Sequence, residues 1–175
     1  MSPRSWRSWE WSDLWRCRRI PGRKVIITPE QFRYIQLFHN MLGVRPKDVV
    51  EDKEENRLVF VVEKGDLGRA VGRGGRKLKT MRRLLREDLD MSIEVVEFDD
   101  TPEGFVINLL SPARVPKVRI VKQGDETVAI AYVVEQDKSI AIGKNGRRIK
   151  RARVLAKRWY NIDNIKIATW TTPTS

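Results

Sequence analysis

Two short glycine loops in matching surroundings restrict this chain more than any other feature of its sequence. They are Ala70-Val71-Gly72-Arg73-Gly74-Gly75-Arg76-Lys77-Leu78 and Ala141-Ile142-Gly143-Lys144-Asn145-Gly146-Arg147-Arg148-Ile149, and their glycines stand 71 residues apart. Each reads alanine, a β-branched apolar residue, Gly-x-x-Gly, two cations and a branched apolar residue. A lone Gly-x-x-Gly says little, because glycine is common in turns. Two in one frame imply a duplicated unit whose function sits in the loop. The agreement continues downstream: Leu78, Met81 and Leu85 align with Ile149, Ala152 and Ala156, and after a one-residue slip Ile93 and Val95 align with Ile165 and Ile167.

A chain of 175 residues accommodates two units of roughly 70 residues, each too small to bury a large core and so expected to lean on the other. A 41% hydrophobic content suits a folded protein. Cys17 is the single cysteine, so no internal disulfide forms, and with one histidine a Cys/His zinc site is excluded. No apolar run is long enough for a membrane span and no secretory signal is evident, so a cytoplasmic protein is expected.

The net charge of +12 is informative once located. Residues 1–24 carry +5, residues 66–90 around the first loop +4, and residues 138–160 around the second +9, which leaves the remainder acidic. Positive charge gathered on the repeated loops and the leader is the footprint expected of a polyanion partner.

Residues 1–27 form a leader in which Trp6, Trp9, Trp11 and Trp15 are interspersed with arginine and serine. It reads as a poorly ordered segment or an early translation start; the alternative is a cationic, aromatic arm that stacks on bases. Regular patterning begins at Thr28, an N-cap followed by Pro29 at the first helical position and Gln31 at the third. Phe32, Ile35, Phe38 or His39, and Leu42 follow at helical spacing, with Gly43 suited to the C-cap. Strands are expected at Val49-Val50 and Leu58–Val62 around an acidic turn, Asp52–Asn56. A short helix over 66–71 enters the first loop, a longer one leaves it through Leu78, Met81, Leu85 and Leu89, and a strand over 93–98 closes the unit. After Asp99-Asp100-Thr101-Pro102 the plan repeats: a helix from Pro102, strands over 118–121 and 128–134, a short helix capped by Asp137, a basic helix through Ile149, Ala152, Leu155 and Trp159, and a strand over 165–168. The fold class is α+β, in the order α-β-β-α-α-β twice, with domains at 28–98 and 99–170 and a tail at 171–175.

A Gly-x-x-Gly turn between helices brings the backbone close to a ligand, and the outgoing helix aims its unsatisfied N–H groups at the same spot. That arrangement binds phosphate. Arg76-Lys77 and Arg147-Arg148 fall in the first helical turn, where cations oppose the helix dipole and an anion would offset the cost. A Walker loop does not fit, because Gly143-Lys144 is followed by Asn145, and a dinucleotide fingerprint would need glycine where Lys77 stands. His39 is expected to be packed or half-exposed. Asp52, Glu54, Glu55, Asp99 and Asp100 read as solvated turns. No nucleophile–base pair is visible, so no enzyme and no cofactor are expected.

Val71-Gly72-Arg73-Gly74-Gly75 and Ile142-Gly143-Lys144-Asn145-Gly146, set within α-β-β-α-α-β, resemble the KH domain in its type II topology. Two adjacent units in so short a chain resemble the archaeal NusA-like transcription factors, from about Val25 to Trp170. The resemblance implies that Gly72, Arg73, Gly74 and Gly75, with Gly143, Lys144, Asn145 and Gly146, hold an RNA backbone of about four nucleotides per loop. Arg76, Lys77, Arg147 and Arg148 would join Arg73 and Lys144 in supplying charge. Bases would meet apolar residues such as Val71, Leu78, Ile142 and Ile149, some of which must instead be core. The implied partners are single-stranded RNA and RNA polymerase or a transcription complex, in termination or elongation, with no membrane. A ribosome-associated or ribosome-assembly KH protein is the alternative within the same chemistry, and a nucleotide-hydrolysing enzyme the rival outside it.

Overall fold

The computed structural model describes residues 26–171, so the tryptophan-rich segment lies outside the described residues. Helix α1 (Pro29–Leu42) starts at the anticipated cap. The Thr28 hydroxyl accepts the Gln31 N–H at 3.2 Å, and the Gln31 side-chain oxygen accepts the Thr28 N–H at 2.9 Å, a reciprocal pair that satisfies two otherwise orphaned donors. Gly43 ends the helix in the left-handed region at φ 72°.

Strands β1 (Asp48–Asp52) and β2 (Arg57–Val62) pair antiparallel. Helices α2 (Leu67–Val71) and α3 (Arg76–Leu89) then carry the chain across to β3 (Ser92–Glu97), which lies parallel to β2 as a helical crossover permits. The second half repeats the series as α4 (Pro102–Leu110), β4 (Lys117–Gln123), β5 (Glu126–Val134), α5 (Lys138–Ile142), α6 (Arg147–Tyr160) and β6 (Asn164–Trp170). Its sheet has the same order and directions. Thr101-Pro102-Glu103 also repeats Thr28-Pro29-Glu30, and the Thr101 hydroxyl caps the Gly104 N–H at 3.1 Å.

The two units share a core through β2, whose six residues are all buried. Side chains alternate across a strand, so Leu58, Phe60 and Val62 turn one way, onto Ile35 and Phe38 of α1 and Met81 and Leu85 of α3. Val59 and Val61 turn the other way with Val96. They enter a second core made by Phe105 and Leu109 of α4, Ala152 and Leu155 of α6, and Ala129, Ala131 and Val133 of β5. The layers therefore run α1 and α3, first sheet, α4 and α6, second sheet. Full burial of each such aliphatic side chain is worth about 1.5–3 kcal/mol, so this shared face holds the units in a fixed relation.

Ion pairs bind the same junction. Asp48, fully buried, accepts from Arg158 Nε at 2.5 Å and Nη2 at 2.9 Å. Glu94 bridges Arg57 of its own sheet at 3.0 Å and Arg151 of α6 at 2.5 Å. Phe98 meets Trp159 at 4.9 Å and Phe105 at 5.5 Å between ring centroids, and the Tyr160 hydroxyl donates to the Asp99 carbonyl. Burial in this cluster raises the Tyr160 phenol to about 12.

Several local expectations are corrected. The turn after β1 is not simply solvated: Asp52 pairs with Arg57 at 2.8 Å, and Glu55 with Arg147 of the second unit at 2.6 Å. Asp99 likewise accepts from Lys64 at 2.7 Å, and with the Thr101 bonds this holds its carboxyl at about 2. Asp137 precedes α5 without capping it; its carboxylate accepts from the Arg114 backbone N–H and Nε, both at 2.9 Å. His39 is exposed, and Phe38 takes the core position. No helix among the described residues is long and apolar enough to cross a membrane.

Candidate nucleic-acid interface

The two loops have nearly the same backbone. Gly72 and Gly143 adopt φ/ψ of 71°/175° and 77°/167°, Gly74 and Asn145 adopt 60°/19° and 54°/26°, and Gly75 and Gly146 adopt 70°/14° and 72°/12°. Asparagine tolerates the left-handed region, which is why it can stand where the first loop has glycine. The same hydrogen bonds close each loop: Gly72 N–H to the Gly68 carbonyl and Gly143 N–H to the Ser139 carbonyl at 2.9 Å, then Gly75 and Gly146 N–H to Gly72 and Gly143 at 3.1 and 3.0 Å.

The first glycine of each loop is demanded by the protein itself. A Cβ on Gly143 would stand 2.9 Å from Arg148 Cβ and 3.0 Å from its backbone nitrogen, and one on Gly72 would meet Lys77 Cγ at 3.3 Å. Gly74, by contrast, has open space around it. The outgoing helices start at Gly75 and Gly146 with no side-chain cap and no acidic residue in the first turn. The Arg76 and Arg147 N–H groups bond the Arg73 and Lys144 carbonyls, but neither helix has a side-chain cap of the kind that Thr28 and Thr101 supply to α1 and α4, so a positive helix end faces each loop.

The six anticipated cations divide. Arg73, Arg76, Lys77 and Lys144 are exposed, and none forms an ion pair among the described residues. Arg147 is held by Glu55, and the Arg148 guanidinium donates to the Ile140 carbonyl. The apolar candidates divide too. Ile142 is 41% exposed and Val71 half-buried, whereas Leu78 and Ile149 are only 5% and 7% exposed and belong to the cores.

A groove of about 400 Å³ runs beside the first loop between α3 and β3, lined by Val71, Arg82 and Val95. It reaches the second unit, where Asn108, Arg148 and Arg151 complete its wall. One feature shared by the two loop helices escaped the sequence reading. Arg82 Nε donates to the Ile93 carbonyl at 3.3 Å, and Arg153 Nη2 donates to the Ile165 carbonyl at 3.1 Å, so an arginine ties each loop helix to its neighbouring strand. Each stands ten residues after its loop's first glycine, a regularity visible in the repeat.

Comparison with known proteins matches this geometry. A KH domain model fits residues 33–99 and the NusA-like second KH domain model fits residues 102–169. The "Probable transcription termination protein NusA" of Halobacterium salinarum is 38% identical over 143 residues, covering 82% of this chain and 98% of that protein. The protein of the same description from Methanocaldococcus jannaschii is 28% identical, covering 82% and 75%. The "Transcription termination/antitermination protein NusA" of Mycobacterium tuberculosis is 36% identical over 87 residues, 49% of this chain but 23% of that longer protein. The solved crystal structure of APE1850 superposes with a TM-score of 0.71 at 38% identity, covering 81% of this chain and all of that one.

Proposed function

Because the chain belongs to the archaeal NusA-like family of proteins with two KH domains, we propose that it binds single-stranded RNA and acts in transcription termination or elongation, as its relatives' names suggest. The observation that carries this reading is the duplicated loop: two backbones of nearly the same dihedral angles, each ending at a helix start without a side-chain cap, beside exposed cations that form no ion pair among the described residues. Phosphates sit against Gly72–Gly75 and Gly143–Gly146, with Arg73, Arg76, Lys77 and Lys144 supplying charge, while Arg147 and Arg148 serve first to hold the second loop in place. Bases lie beside each loop, over Val71 in the groove of the first unit and over Ile142 in the second, rather than over the buried Leu78 and Ile149. The work is binding and not catalysis, it takes place in the cytoplasm, and its wider partner is the transcription complex. The relatives' descriptions favour this over a ribosomal role.

The rigid junction makes engagement of the second loop intramolecular, at an effective concentration on the order of millimolar. Affinity therefore steps up once an oligonucleotide outgrows the roughly four nucleotides that one loop clamps. Two double variants test the reading, Arg73→Asp with Gly74→Asp and Lys144→Asp with Asn145→Asp, assayed by fluorescence anisotropy on oligonucleotides of increasing length. Each should bind many-fold more weakly with an unchanged circular dichroism spectrum and lose the length step. The Lys144 pair should also lose more of the salt dependence, given +9 around that loop against +4. Binding by both variants equal to that of the parent refutes the loop mechanism, and equal affinity for a duplex stem reduces it to plain electrostatics.

A further inference from the structure

The outward face of the first sheet is covered by α6, and it is acidic where α6 is basic. Asp48 meets Arg158 and Glu94 meets Arg151, over Val59 and Val61. The second sheet has the corresponding face, and cross-strand partners share a face, so its residues follow from the register. Lys117 stands where the first sheet has Asp48, Lys166 where it has Glu94, and Tyr132 where it has Val61, with Arg119 at the place of Val50. None of these belongs to either hydrophobic core, and the acids that would receive a basic helix have become cations.

We propose that this face is a third RNA contact, a stacking platform for bases that leave the second loop, formed by Tyr132 and Trp170 with Lys117, Arg119 and Lys166. The proposal rests on the RNA-binding reading above. Tyr132 and Trp170 are half-buried and lie edge to face, with ring centroids 6.3 Å apart and planes at 79°. Lys117 and Arg119 are exposed on β4, and Lys166 is exposed on β6, holding Gln123 at 3.0 Å. The cations thus flank β5 on both sides, in two rails roughly 10 Å apart at ordinary strand spacing. Aromatic rings between cationic rails are the combination that takes single-stranded nucleic acid, stacking for any base and charge for the backbone.

Continuity favours RNA over an acidic protein segment. Strand β6 packs against α5, which leads into the second loop, and it is also the edge of the open face. A strand of RNA leaving that loop along β6 has only to fold over one edge to reach Trp170.

The test uses the full chain with both loops blocked by the two double substitutions above, and the probes are twenty-nucleotide oligo(U) and oligo(A) at low salt. The blocked protein should keep weak RNA binding. Adding Trp170→Ala or Tyr132→Ala should reduce that residual about tenfold or more, since one stacked base is worth that much. Trp170→Phe keeps a stacking ring and should retain most of it, and Arg119→Asp with Lys166→Glu should abolish it. Ultraviolet crosslinking of oligo(U) to the unblocked chain should label Trp170 or Tyr132. Residual binding unchanged by Trp170→Ala, or lost equally in Trp170→Phe, overturns the platform. So does displacement of RNA by polyglutamate as readily as by RNA itself, which would mark the face as a site for acidic protein. A blocked protein that binds nothing while the parent binds also overturns it, whereas a parent that fails to bind oligonucleotide refutes the loop reading instead.

Discussion

Cutting the ion pair between Asp48 and Arg158 should loosen the two units from one another without touching either loop. Asp48 has no exposed surface, while the Arg158 side chain keeps 28% of its exposure. Stranding one partner of a buried pair costs about 3–5 kcal/mol, but water reaches Arg158 and discounts that, so about 2–3 kcal/mol is expected for Asp48→Asn. The asparagine oxygen can still accept the Val49 N–H, which now binds Asp48 at 2.9 Å, so the loss isolates the arginine contact. In a protein of this length each kcal/mol lowers Tm by about 2–4 °C, giving a fall of about 4–12 °C in a thermal melt. Arg158→Leu should cost more, about 3–5 kcal/mol, because it strands the fully buried Asp48, and Asp48→Leu with Arg158→Leu should recover much of the loss, because apolar residues of similar volume replace such pairs well. RNA length dependence measured on Asp48→Asn should show a smaller step between one-loop and two-loop oligonucleotides. A Tm change under about 1 °C, or a double-variant coupling under about 0.5 kcal/mol, refutes the assignment of this pair as a clamp.

Gly143→Ala should destabilise by about 1–3 kcal/mol or more in a urea titration, since its dihedrals are almost reserved to glycine and the added methyl meets backbone. Gly74→Asn should change stability by no more than about 0.5 kcal/mol, because Asn145 already occupies the same conformation in the other loop. Arg82→Ala and Arg153→Ala should each cost about 1 kcal/mol and weaken RNA binding at their own loop only, as read by anisotropy in the background of the opposite blocked loop. The Asp99 carboxyl is depressed to about 2, chiefly by its bond with Lys64. Its stabilising share is complete above the ordinary carboxylate pKa near 4 and is lost as pH falls toward 2. Asp99→Asn should therefore flatten the part of the stability–pH curve between about pH 4 and 2, measured by denaturation at each pH.

The element order was legible because its markers are local: a capping box at Thr28, left-handed glycines in the loops, and period-matched apolar residues on α3 and α6. What escaped was whatever depended on a distant partner. The run Leu58–Val62 is uninterrupted rather than alternating, which is how a strand buried on both faces reads, but nothing in it says that the second cover is α6. Glu55 and Asp99 look like turn carboxylates until Arg147 and Lys64 arrive from elsewhere in the fold. Asp137 sits at a helix start, yet the Arg114 backbone outcompetes the cap. At the loops, residue type identified the anion-binding turn but not which cations were already engaged, nor that the first glycine answers to its own helix.

The opposite charges on the two sheets also bear on how the chain finds its fold. During folding, the α4 and α6 pair must choose between two three-stranded surfaces of the same build, one from each unit, both with apolar residues at their centre, Val59 and Val61 on one and Ile130 and Tyr132 on the other. Apolar matching alone would not sort them. Asp48 and Glu94 receive Arg158 and Arg151 on the first sheet, whereas Lys117 and Lys166 would repel those same arginines on the outward face of the second. The two repeats thus present two berths of the same build, and their opposite charges leave only one at which the basic helix can settle.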